Sequence, residues 1–501
     1  MAKRVLVIGA GIAGLSAASY LQRNGFKTEI FELHDKAGGL CAAWTRKGYT
    51  FDGCIHWLMG SGASSNLHRI WVELGAGDLD YIEPDEYMTA NLADGDSFTI
   101  YTDPDKLEAE ILRLGPGDTG FAHLLSSKIK AVARADMPAA FDRLSFGEAA
   151  RLALALPGMG LVFTKWMKVP LQRLVDGLQS ERLRQAFSVL FGDALRDFPA
   201  GAFFMMLGFM AKKSAGYPIG GSRAFAHAIE DKYLSLGGKI RYGAKVDGII
   251  VEGARGVRKA VGLRGSWGEE RCDYVVSAAD GRDTLDRLLS GAYKGCAMDG
   301  AFATQVRYPS LLFAGFGLDH DCSALPHARV FMLDRPLVLE SGALKVDRLM
   351  LRLFNFDPTL APKGKTAATV MIETGNDGYW TSLAERDPEA YAAEKKAVAD
   401  AIIAAIELKL PGFASWVETV DVATPKTFIR YTNNWHGSYE GWLPTSKTLG
   451  GKIPRTIEGL ENFEMVGQWV NAGGGLPPCG IDGRNLAKRL CKKEGLRFRP
   501  E

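Results

Sequence analysis

The chain lacks the features of a membrane-spanning or disulfide-stabilised protein. No apolar run reaches the roughly 18 residues that a bilayer-spanning helix needs. Its 7 cysteines are an odd number with no C-x-x-C pair, which favours free thiols in a reducing compartment over a disulfide framework or a zinc site. The chain enters its first predicted strand at once, so we expect no signal peptide and a cytoplasmic location.

Charge and polar patterning exclude further classes. A net charge of +2 without a long basic run gives no case for a nucleic-acid partner. The sequence shows no Ser-His-Asp order, no paired carboxylates with catalytic spacing and no metal-ligand cluster, so we expect no metal. The 501 residues, 47% of them hydrophobic, are enough for a large core in two or more domains.

Two apolar runs, Leu152–Phe163 and Pro199–Ala211, are too short to cross a bilayer but resemble surface-docking segments. The cations that flank them are Arg151, Lys165, Lys168, Arg196, Lys212 and Lys213. We therefore expect a helical part that contacts a membrane peripherally. Within the second run, core packing is the favoured interpretation of Phe203–Met206, and a substrate tunnel wall is the alternative.

The N-terminal segment has the pattern of a dinucleotide site. Val5–Ile8 is a short apolar run typical of a buried strand, and the glycines of a G-x-G-x-x-G motif follow it at Gly9, Gly11 and Gly14. These glycines allow a tight turn, a close approach to a pyrophosphate and close helix packing. A helix over 13–23 then presents its N-terminus to the phosphates.

A second predicted strand, Thr28–Phe31, ends at Glu32, which follows Gly14 by 18 residues. A carboxylate at about this distance accepts hydrogen bonds from ribose hydroxyls and repels a 2′-phosphate, which argues against NADPH. Gly115–Gly120 repeats the glycine spacing but follows a helical pattern and contains Pro116, so we interpret it as a helix–helix connector.

Further glycine-rich segments follow along the chain. Gly38–Gly39 lies just after Glu32, and Tyr217–Ser222 opens a predicted helix that leads into β-type runs ending before Asp280. Near the C-terminus, Gly467-Gln-Trp469 leads into Gly473-Gly474-Gly475-Leu-Pro477-Pro478, and a last helix is predicted from Gly483 to Lys492.

These four blocks, in this order, resemble the phytoene desaturase, carotenoid isomerase and retinol saturase group of the amine-oxidase-like FAD superfamily. The late glycine block is the most specific of them. The resemblance implies an α/β fold with a Rossmann-type FAD-binding domain of the glutathione-reductase-2 kind, plus a mixed α+β substrate domain. We place the FAD domain at 1–85, 215–300 and 455–501, and the substrate domain, mostly helical before 214, at 86–214 and 301–454.

The chain departs from the group at two positions. Leu40 follows the glycine pair where the group often has Arg, and Asp482 stands where a small hydroxyl residue is usual. The resemblance implies that backbone N–H groups at Ile481–Arg484 face the pyrimidine edge of the flavin. The motifs and the resemblance together assign FAD to Gly9, Gly11, Ile12, Ala13, Gly14, Glu32, Leu33, Gly38, Gly39, Leu40, His56, Trp57, Val246, Ala279, Asp280, Gly467, Gln468, Gly474, Gly475, Pro477, Gly480, Ile481 and Asp482.

The candidate catalytic residues are His436, Tyr439 and His56. His436 and Tyr439 precede the late cofactor block and are candidate proton donors, with aromatic packing as the equal alternative. His56 is near the glycine pair in sequence, although a structural role is favoured for it. Trp469 is expected near the flavin, and nothing in the spacing of Cys41, Cys54 and Cys479 argues for a covalent flavin link.

The resemblance implies hydride transfer between FAD and a C–C bond of a long apolar substrate, either desaturation or saturation of an isoprenoid or similar lipid. One alternative is cis–trans isomerisation of a carotenoid by reduced FAD, and another is amine oxidation. The least favoured alternative is a prenyl or lipid escort protein on the same fold. The electron acceptor stays open.

Overall fold

The computed structural model describes residues 2–135, 160, 162, 164–253, 256–339, 341–342, 344–445, 453–471 and 473–501. Apart from Gly160 and Val162, the apolar run Leu152–Phe163 lies outside the described residues.

The strands begin and end at defined residues. They are β1 Arg4–Ile8, β2 Lys27–Phe31, β3 Ala43–Arg46, β4 Tyr49–Asp52, β5 Leu58–Met59, β6 Tyr81–Ile82, β7 Glu86–Asn91, β8 Ser97–Tyr101, β9 Ala215–Pro218, β10 Lys239–Arg241, β11 Gly248–Glu252, β12 Arg258–Gly265, β13 Gly268–Arg271, β14 Tyr274–Ser277, β15 Ser310–Leu318, β16 Ala328–Val338, β17 Lys345–Leu353, β18 Thr366–Thr374, β19 Val417–Ala423, β20 Leu460–Glu461 and β21 Phe463–Met465.

The α-helices alternate with these strands. They are α1 Ile12–Arg23, α2 His68–Glu73, α3 Pro104–Leu114, α4 Thr119–Arg134, α5 Leu171–Asp176, α6 Glu181–Phe191, α7 Ala200–Ala211, α8 Gly221–Ser235, α9 Gly281–Asp283, α10 Ala297–Thr304, α11 Asp377–Arg386, α12 Pro388–Glu407, α13 Phe413–Trp416, α14 Pro425–Thr432 and α15 Leu476–Lys493.

A five-stranded parallel sheet in the order β10-β2-β1-β14-β21 carries the N-terminal motif. β1 lies at its centre, and Val5, Leu6 and Val7 are fully buried, because a parallel strand covered on both faces needs a continuous apolar run. The strands of this sheet come from residues 4–31, 239–277 and 463–465, so distant parts of the chain meet in one sheet.

Helices α1 and α15 pack together beside this sheet at small residues. A Cβ on Gly483 would stand 2.4 Å from the backbone N of Ala17, so only glycine allows this crossing. Ser16 Oγ donates to the carbonyl oxygen of Gly480 at 2.7 Å and fixes the register of the two helices. This crossing joins the two glycine-rich ends of the chain.

A second large sheet has seven strands, in the order β19-β15-β18-β17-β16-β7-β8. Strand β4 crosses β15, where Phe51 covers Gly315 and Tyr49 covers Gly317. Helix α12 covers another part of the sheet with Val398 and Ile402. The strands of this sheet come from residues 86–101 and 310–423. These residues fall within the predicted substrate domain, whose boundaries we retain as a proposal.

The described part of 86–214 contains a β-hairpin, β7–β8, before its helices. Helices α3 and α4 follow, and the second glycine-spaced segment joins them as the predicted connector. Asp118, in this connector, accepts hydrogen bonds from the backbone N–H groups of Gln179 and Ser180.

Helix α7 contains the second apolar run and belongs to the core. Phe203, Phe204 and Leu207 are fully buried, and Val132 of α4 packs against Gly208. The expectation that this run docks at a membrane surface is therefore wrong, because its apolar side chains are already covered by protein. Among the described residues, no helix combines the length and the apolar composition needed to cross a bilayer.

Candidate functional site

The turn between β1 and α1 is built on the spacing of its glycines. Gly9 has φ +94°, a conformation that favours glycine, and its N–H donates to the carbonyl oxygen of Phe31. A Cβ on Gly14 would stand 2.0 Å from the carbonyl oxygen of Gly9, so the helix reaches the turn only with glycine there. α1 begins at Ile12, and no side chain of the described residues caps its N-terminus.

Glu32 closes one side of the site. Its carboxylate accepts hydrogen bonds from the backbone N–H groups of Ala10, at 2.6 Å, and His34, at 2.8 Å. Burial raises its pKa, and these backbone hydrogen bonds oppose that effect. The N–H of Ala244 donates to the carbonyl oxygen of Glu32, which brings Val246 to the same wall.

The Gly38–Gly39 loop lies directly on the glycine turn. The N–H of Gly38 donates to the carbonyl oxygen of Ala10 at 2.9 Å, and a Cβ on Gly39 would stand 3.2 Å from the Cα of Gly11. Two backbones therefore cross with no side chain between them. Such a crossing leaves N–H groups accessible to a pyrophosphate.

The late glycine block joins this turn from the opposite end of the chain. Gly467 has φ +103°, and its N–H donates to the buried carboxylate of Asp482 at 2.9 Å. Asp482 also accepts from Arg455 Nε at 2.8 Å. Asp482 thus holds the backbone turn that lines the site and does not line it itself.

One elongated cavity runs between these segments. The predicted cofactor residues that line it are Gly9, Gly11, Ile12, Ala13, Glu32, Leu33, Gly38, Gly39, Leu40, Val246, Ala279, Asp280, Gly467, Gln468 and Gly475. Tyr439, one of the three catalytic candidates, and Trp469 line it as well. Residues spread over the whole sequence therefore converge on a single cleft.

Several predicted residues lie outside the cavity wall. These are Gly14, His56, Trp57, Gly474, Pro477, Gly480, Ile481 and Asp482 among the cofactor candidates, and His436 among the catalytic ones. The last helix starts at Leu476, seven residues earlier than predicted, with Pro477 in its first turn. Residues 481–484 are therefore inside the helix, and the N–H groups near the cleft belong to the turn at Gly475.

His56, predicted as both a cofactor and a catalytic residue, does not line the cavity. Its Nε2 is buried and has no hydrogen-bond partner among the described residues. Burial, together with the positive charge of Arg352 and the neighbouring His327, lowers its pKa well below the usual value, so the ring is neutral. Its carbonyl oxygen accepts a hydrogen bond from Arg352, which points to a structural role.

His436 and Tyr439 have different surroundings. The His436 ring is exposed and lies 2.6 Å from Asp377 Oδ2, away from the cleft. Tyr439 Oη donates to Glu373 Oε1 at 2.8 Å, and burial with the neighbouring acids raises its pKa well above 10. Of the two candidate proton donors, the structure brings only Tyr439 to the cavity.

Two acids in the cavity wall have pKa values well above their usual range. Burial raises the pKa of Glu440 to about 7, and hydrogen bonds from Tyr308 and the N–H of Gly475 reduce that effect. Burial likewise raises the pKa of Asp280 to about 7, although it accepts from the N–H groups of Asp283 and Trp435. The sequence prediction named Asp280 but not Glu440, whose position between Tyr439 and Gly441 carries no motif signal.

Aromatic side chains support the late turn from behind. Trp469 stacks on Phe302 with ring centroids 5.7 Å apart and contacts Trp442 edge-on at 4.9 Å. Trp442 Nε1 donates to the carbonyl oxygen of Trp469. Cys41, Cys54 and Cys479, which are free cysteines, also line the cleft.

These features fit FAD. The residues that precede α1 and α15 are Gly11 and Gly475, which have no side chain to cap the helices, and both helix N-termini meet the same cleft, as a pyrophosphate and the flavin edge require. Glu32 would hold the ribose, and Gly11, Ile12 and Gly39 would surround the phosphates. The turn from Gly467 to Gly475 would hold the flavin end.

Sequence comparison assigns the chain to a family. The model of the flavin containing amine oxidoreductase family matches residues 12–285, which is more than half of the chain. The chain belongs to the flavin-containing amine oxidoreductase family. It is an FAD-dependent oxidoreductase, and its sequence is similar to those of phytoene desaturases and carotenoid isomerases.

Those relatives are similar over nearly their whole length. A neurosporene-forming phytoene desaturase from Rhodobacter capsulatus is 27% identical over 97% of this chain and 94% of its own. A lycopene-forming phytoene desaturase from Pseudescherichia vulneris is 26% identical over 95% and 96%. A chloroplastic prolycopene isomerase from Daucus carota is 26% identical over 98% of this chain and 80% of its own.

Solved structures show the same fold. An oxidoreductase from Methanosarcina mazei has a TM-score of 0.61 at 17% identity, over 97% of this chain and all of that one. A putrescine oxidase bound to putrescine has a TM-score of 0.60 at 13% identity, over 98% and 99%. The predicted amine-oxidase-like α/β architecture is thereby confirmed.

Proposed function

We propose that this enzyme desaturates or saturates a C–C bond of a long apolar isoprenoid or polyene. The observation that carries the proposal is the near full-length similarity to carotenoid desaturases and isomerases. FAD, when bound, supplies the hydride acceptor or donor. The chain's own contribution is to bind and orient the two partners and to hold protons at defined atoms.

The residues at the flavin end of the cleft suit a reaction without a strong base. Tyr439 keeps its proton over the working pH range, because its pKa lies well above 10 and its hydroxyl is directed at Glu373. Glu440, with a pKa of about 7, holds a proton for part of the time at neutral pH. Glu440 is therefore able to donate a proton to a carbon centre in a saturation reaction, whereas the proton of Tyr439 is held by Glu373.

The experiment is anaerobic mixing of the holoenzyme with phytoene dispersed in detergent micelles. Loss of the oxidised flavin absorbance with a new conjugated double bond in the product supports desaturation. With chemically reduced enzyme and a conjugated polyene, return of the oxidised absorbance with loss of a double bond supports saturation. If the flavin absorbance responds to no isoprenoid or polyene, the proposal fails.

Isomerisation is a second candidate, favoured by the similarity to prolycopene isomerases. It predicts that reduced enzyme converts a cis-polyene to its trans isomer, while the flavin stays reduced after many turnovers. Chromatographic separation of the isomers, with the flavin absorbance recorded in parallel, distinguishes this reaction from saturation, which consumes the reduced flavin.

Amine oxidation is a third candidate, favoured by one observation at the cleft. The rings of Tyr308 and Tyr439 lie 5.1 Å apart, close to the carboxylates of Glu373 and Glu440, which would attract an ammonium group. The two rings are tilted by 59°, however, and do not form parallel walls. Reduction of the flavin by putrescine or cyclohexylamine would favour this candidate over the first.

We also propose a peripheral membrane contact through the run Leu152–Phe163. The support is its apolar sequence and the cations that follow it, of which Lys165 and Lys168 are exposed. Sedimentation with anionic liposomes at low salt tests the contact, and protein that remains in the supernatant contradicts it. A cytoplasmic location stays a proposal as well.

A further inference from the structure

A second cavity of about 560 Å³ lies beside the cofactor cleft. It is enclosed by the segment from His34 to Arg46, the end of β19 and helices α11, α12 and α14. Its size is within the range of small-molecule sites. The residues that it shares with the cofactor cleft are Glu32, Gly39, Leu40, Tyr431 and Thr432.

The inner wall of this cavity is apolar. Ala43, Val422 and Ala423 are buried, and the partly buried rings of Trp44 and Phe428 complete the wall. The polar edge of Trp44 is satisfied within the protein, because its Nε1 donates to Asp421 Oδ2. This part of the cavity therefore provides apolar contacts for a hydrocarbon chain, and the Trp44 nitrogen needs no hydrogen bond from a ligand.

The outer part of the cavity is cationic. Lys36 and Arg430 are exposed and Lys395 is half-buried, and none of the three has an ion pair with a carboxylate in the described part of the chain. Lys395 lies over the ring of Tyr391 and Arg430 over the ring of Tyr431, which restricts where their charges stand.

The other charged groups at the cavity already have partners, and among them Glu32 accepts hydrogen bonds from the backbone N–H groups of Ala10 and His34. Arg46 pairs with Asp421, and Lys426 pairs with Glu385. Asp35 pairs with the ring of His34, whose pKa is lowered by burial and by the charges of Lys36 and Arg430. The positive charge at Lys36, Lys395 and Arg430 is thus left for a ligand.

We propose that this cavity binds an amphiphile with an anionic head group, whose head meets Lys36, Lys395 and Arg430 and whose chain lies against Trp44, Val422 and Phe428. A carboxylate and a phosphate share the required chemistry, since both accept charge-assisted hydrogen bonds from Lys and Arg. The ligand would lie beside the cofactor but would bind whether or not it reacts, so the site does not depend on the proposed reaction.

The test measures binding to the oxidised holoenzyme by isothermal titration calorimetry below the micelle concentration of each probe. The probes are dodecanoate, dodecyl phosphate and the neutral dodecanol. We expect both anions to bind about tenfold or more tightly than the alcohol, because a hydrogen bond to a charged group contributes more than a neutral one. The ratio of the two anions distinguishes a carboxylate ligand from a phosphate ligand.

Matched variants locate the site. The double variant Lys395→Gln/Arg430→Gln should weaken both anions about tenfold and leave dodecanol unchanged. The control Arg173→Gln/Lys363→Gln removes two exposed cations that do not line the cavity and should change nothing. Ala384→Trp places a large ring in the partly exposed wall and should weaken all three probes.

Retention of bound FAD, read from the absorbance spectrum, shows that each variant is folded. The proposal is overturned if dodecanol binds as tightly as the anions. It is also overturned if the anions bind the double variant and the wild type equally, or if Ala384→Trp changes no affinity. Each of these results is separate from the outcome of the substrate experiment.

Discussion

The carboxyl group of Glu440 accepts a hydrogen bond from the N–H of Gly475, at the residue that caps α15. A Cβ on Gly474 would stand 2.9 Å from the same carboxyl group, so the glycine block leaves space for this acid. The last helix of the chain thus begins against a group whose pKa is about 7. The protonation state of Glu440 is therefore coupled to the hydrogen bond at the start of α15.

We expect Glu440→Gln to stabilise the apoprotein at alkaline pH. The pKa of this acid rises from 4.5 to about 7 on folding, so the folded state holds the proton more tightly. Stability attributable to Glu440 is then full below about pH 4.5 and decreases as pH rises to about 7. The difference reaches at most about 3 kcal/mol above pH 7.

Urea unfolding of the apoprotein at several pH values measures this effect. Glu440→Gln and wild type should be equally stable near pH 4, and the variant should be more stable near pH 8. Asp280, whose pKa is also about 7, stays in both proteins and cancels from the comparison. A variant that is less stable than wild type at pH 8 would contradict the assignment.

Gly14→Ala should abolish FAD binding, whereas the same change at Gly120 should not. At Gly14 the new Cβ meets the carbonyl oxygen of Gly9 at 2.0 Å, and backbone must move, which costs about 1–3 kcal/mol. At Gly120, in the second glycine-spaced segment, nothing stands within 4 Å of the added atom. Alanine there should be neutral or stabilise α4 by up to about 1 kcal/mol.

The FAD content and the melting temperature of the two purified variants check this pair. Equal FAD content in Gly14→Ala and Gly120→Ala would show that the close contact at Gly14 is not required for FAD binding. The comparison also separates the effect of the strand–turn–helix context from the effect of glycine spacing. Gly14 and Gly120 are each the last glycine of a G-x-G-x-x-G segment, and only the first segment follows a strand.

The local parts of the fold could be predicted from the sequence, and the nonlocal parts could not. β1, α1 and β2 follow from an apolar run, a glycine turn and an acid within about thirty residues. β15 was missed, because a nine-residue apolar strand has no periodicity that separates it from a buried helix. Its glycines at 315 and 317 are explained only by the rings of Phe51 and Tyr49.

The errors at the site have similar causes. The start of α15 was placed too late, since Pro477 and Pro478 were interpreted as loop residues although proline is tolerated in the first turn of a helix. His56 was assigned to the cofactor because it is near the glycine pair in sequence. Its backbone is instead tied to Arg352 of β17, a contact across 296 residues.

Glu73→Ala should strongly destabilise the protein. Glu73 is fully buried, and its carboxylate accepts from Arg484 Nε at 2.8 Å and from Tyr20 Oη at 2.6 Å. Removing the carboxylate breaks this buried ion pair with Arg484, which costs about 3–5 kcal/mol. Arg69, the exposed partner of the same carboxylate, provides the control, and Arg69→Ala should cost less than about 1 kcal/mol.

Chemical denaturation of the holoenzyme, followed by tryptophan fluorescence, measures both changes. Because Glu73, Tyr20 and Arg484 belong to α2, α1 and α15, Glu73→Ala should also release FAD at a lower denaturant concentration than Arg69→Ala. Similar midpoints for the two variants would refute the central role of the buried carboxylate.

Asp482→Ala should weaken FAD binding about tenfold or more, although Asp482 does not line the cleft. Its carboxylate accepts from the N–H of Gly467, and losing this acceptor leaves a buried N–H unpaired, at a cost of about 1–3 kcal/mol. Asp482→Asn keeps an oxygen for Gly467 and should bind FAD more tightly than the alanine variant. Arg489→Ala, which breaks an exposed ion pair on the same helix, should bind FAD like wild type.

Titration of each apoprotein with FAD, followed by quenching of flavin fluorescence, gives the three affinities. If FAD affinity decreases in the order wild type, Asp482→Asn, Asp482→Ala, then Asp482 is a positioning residue that acts through the backbone of Gly467. If Asn and Ala bind equally weakly, the negative charge opposite Arg455 is the essential element, because Asn replaces the hydrogen-bond acceptor but not the charge. If all three affinities agree, the turn at Gly467 holds its shape without this carboxylate, and the role assigned to Asp482 is wrong.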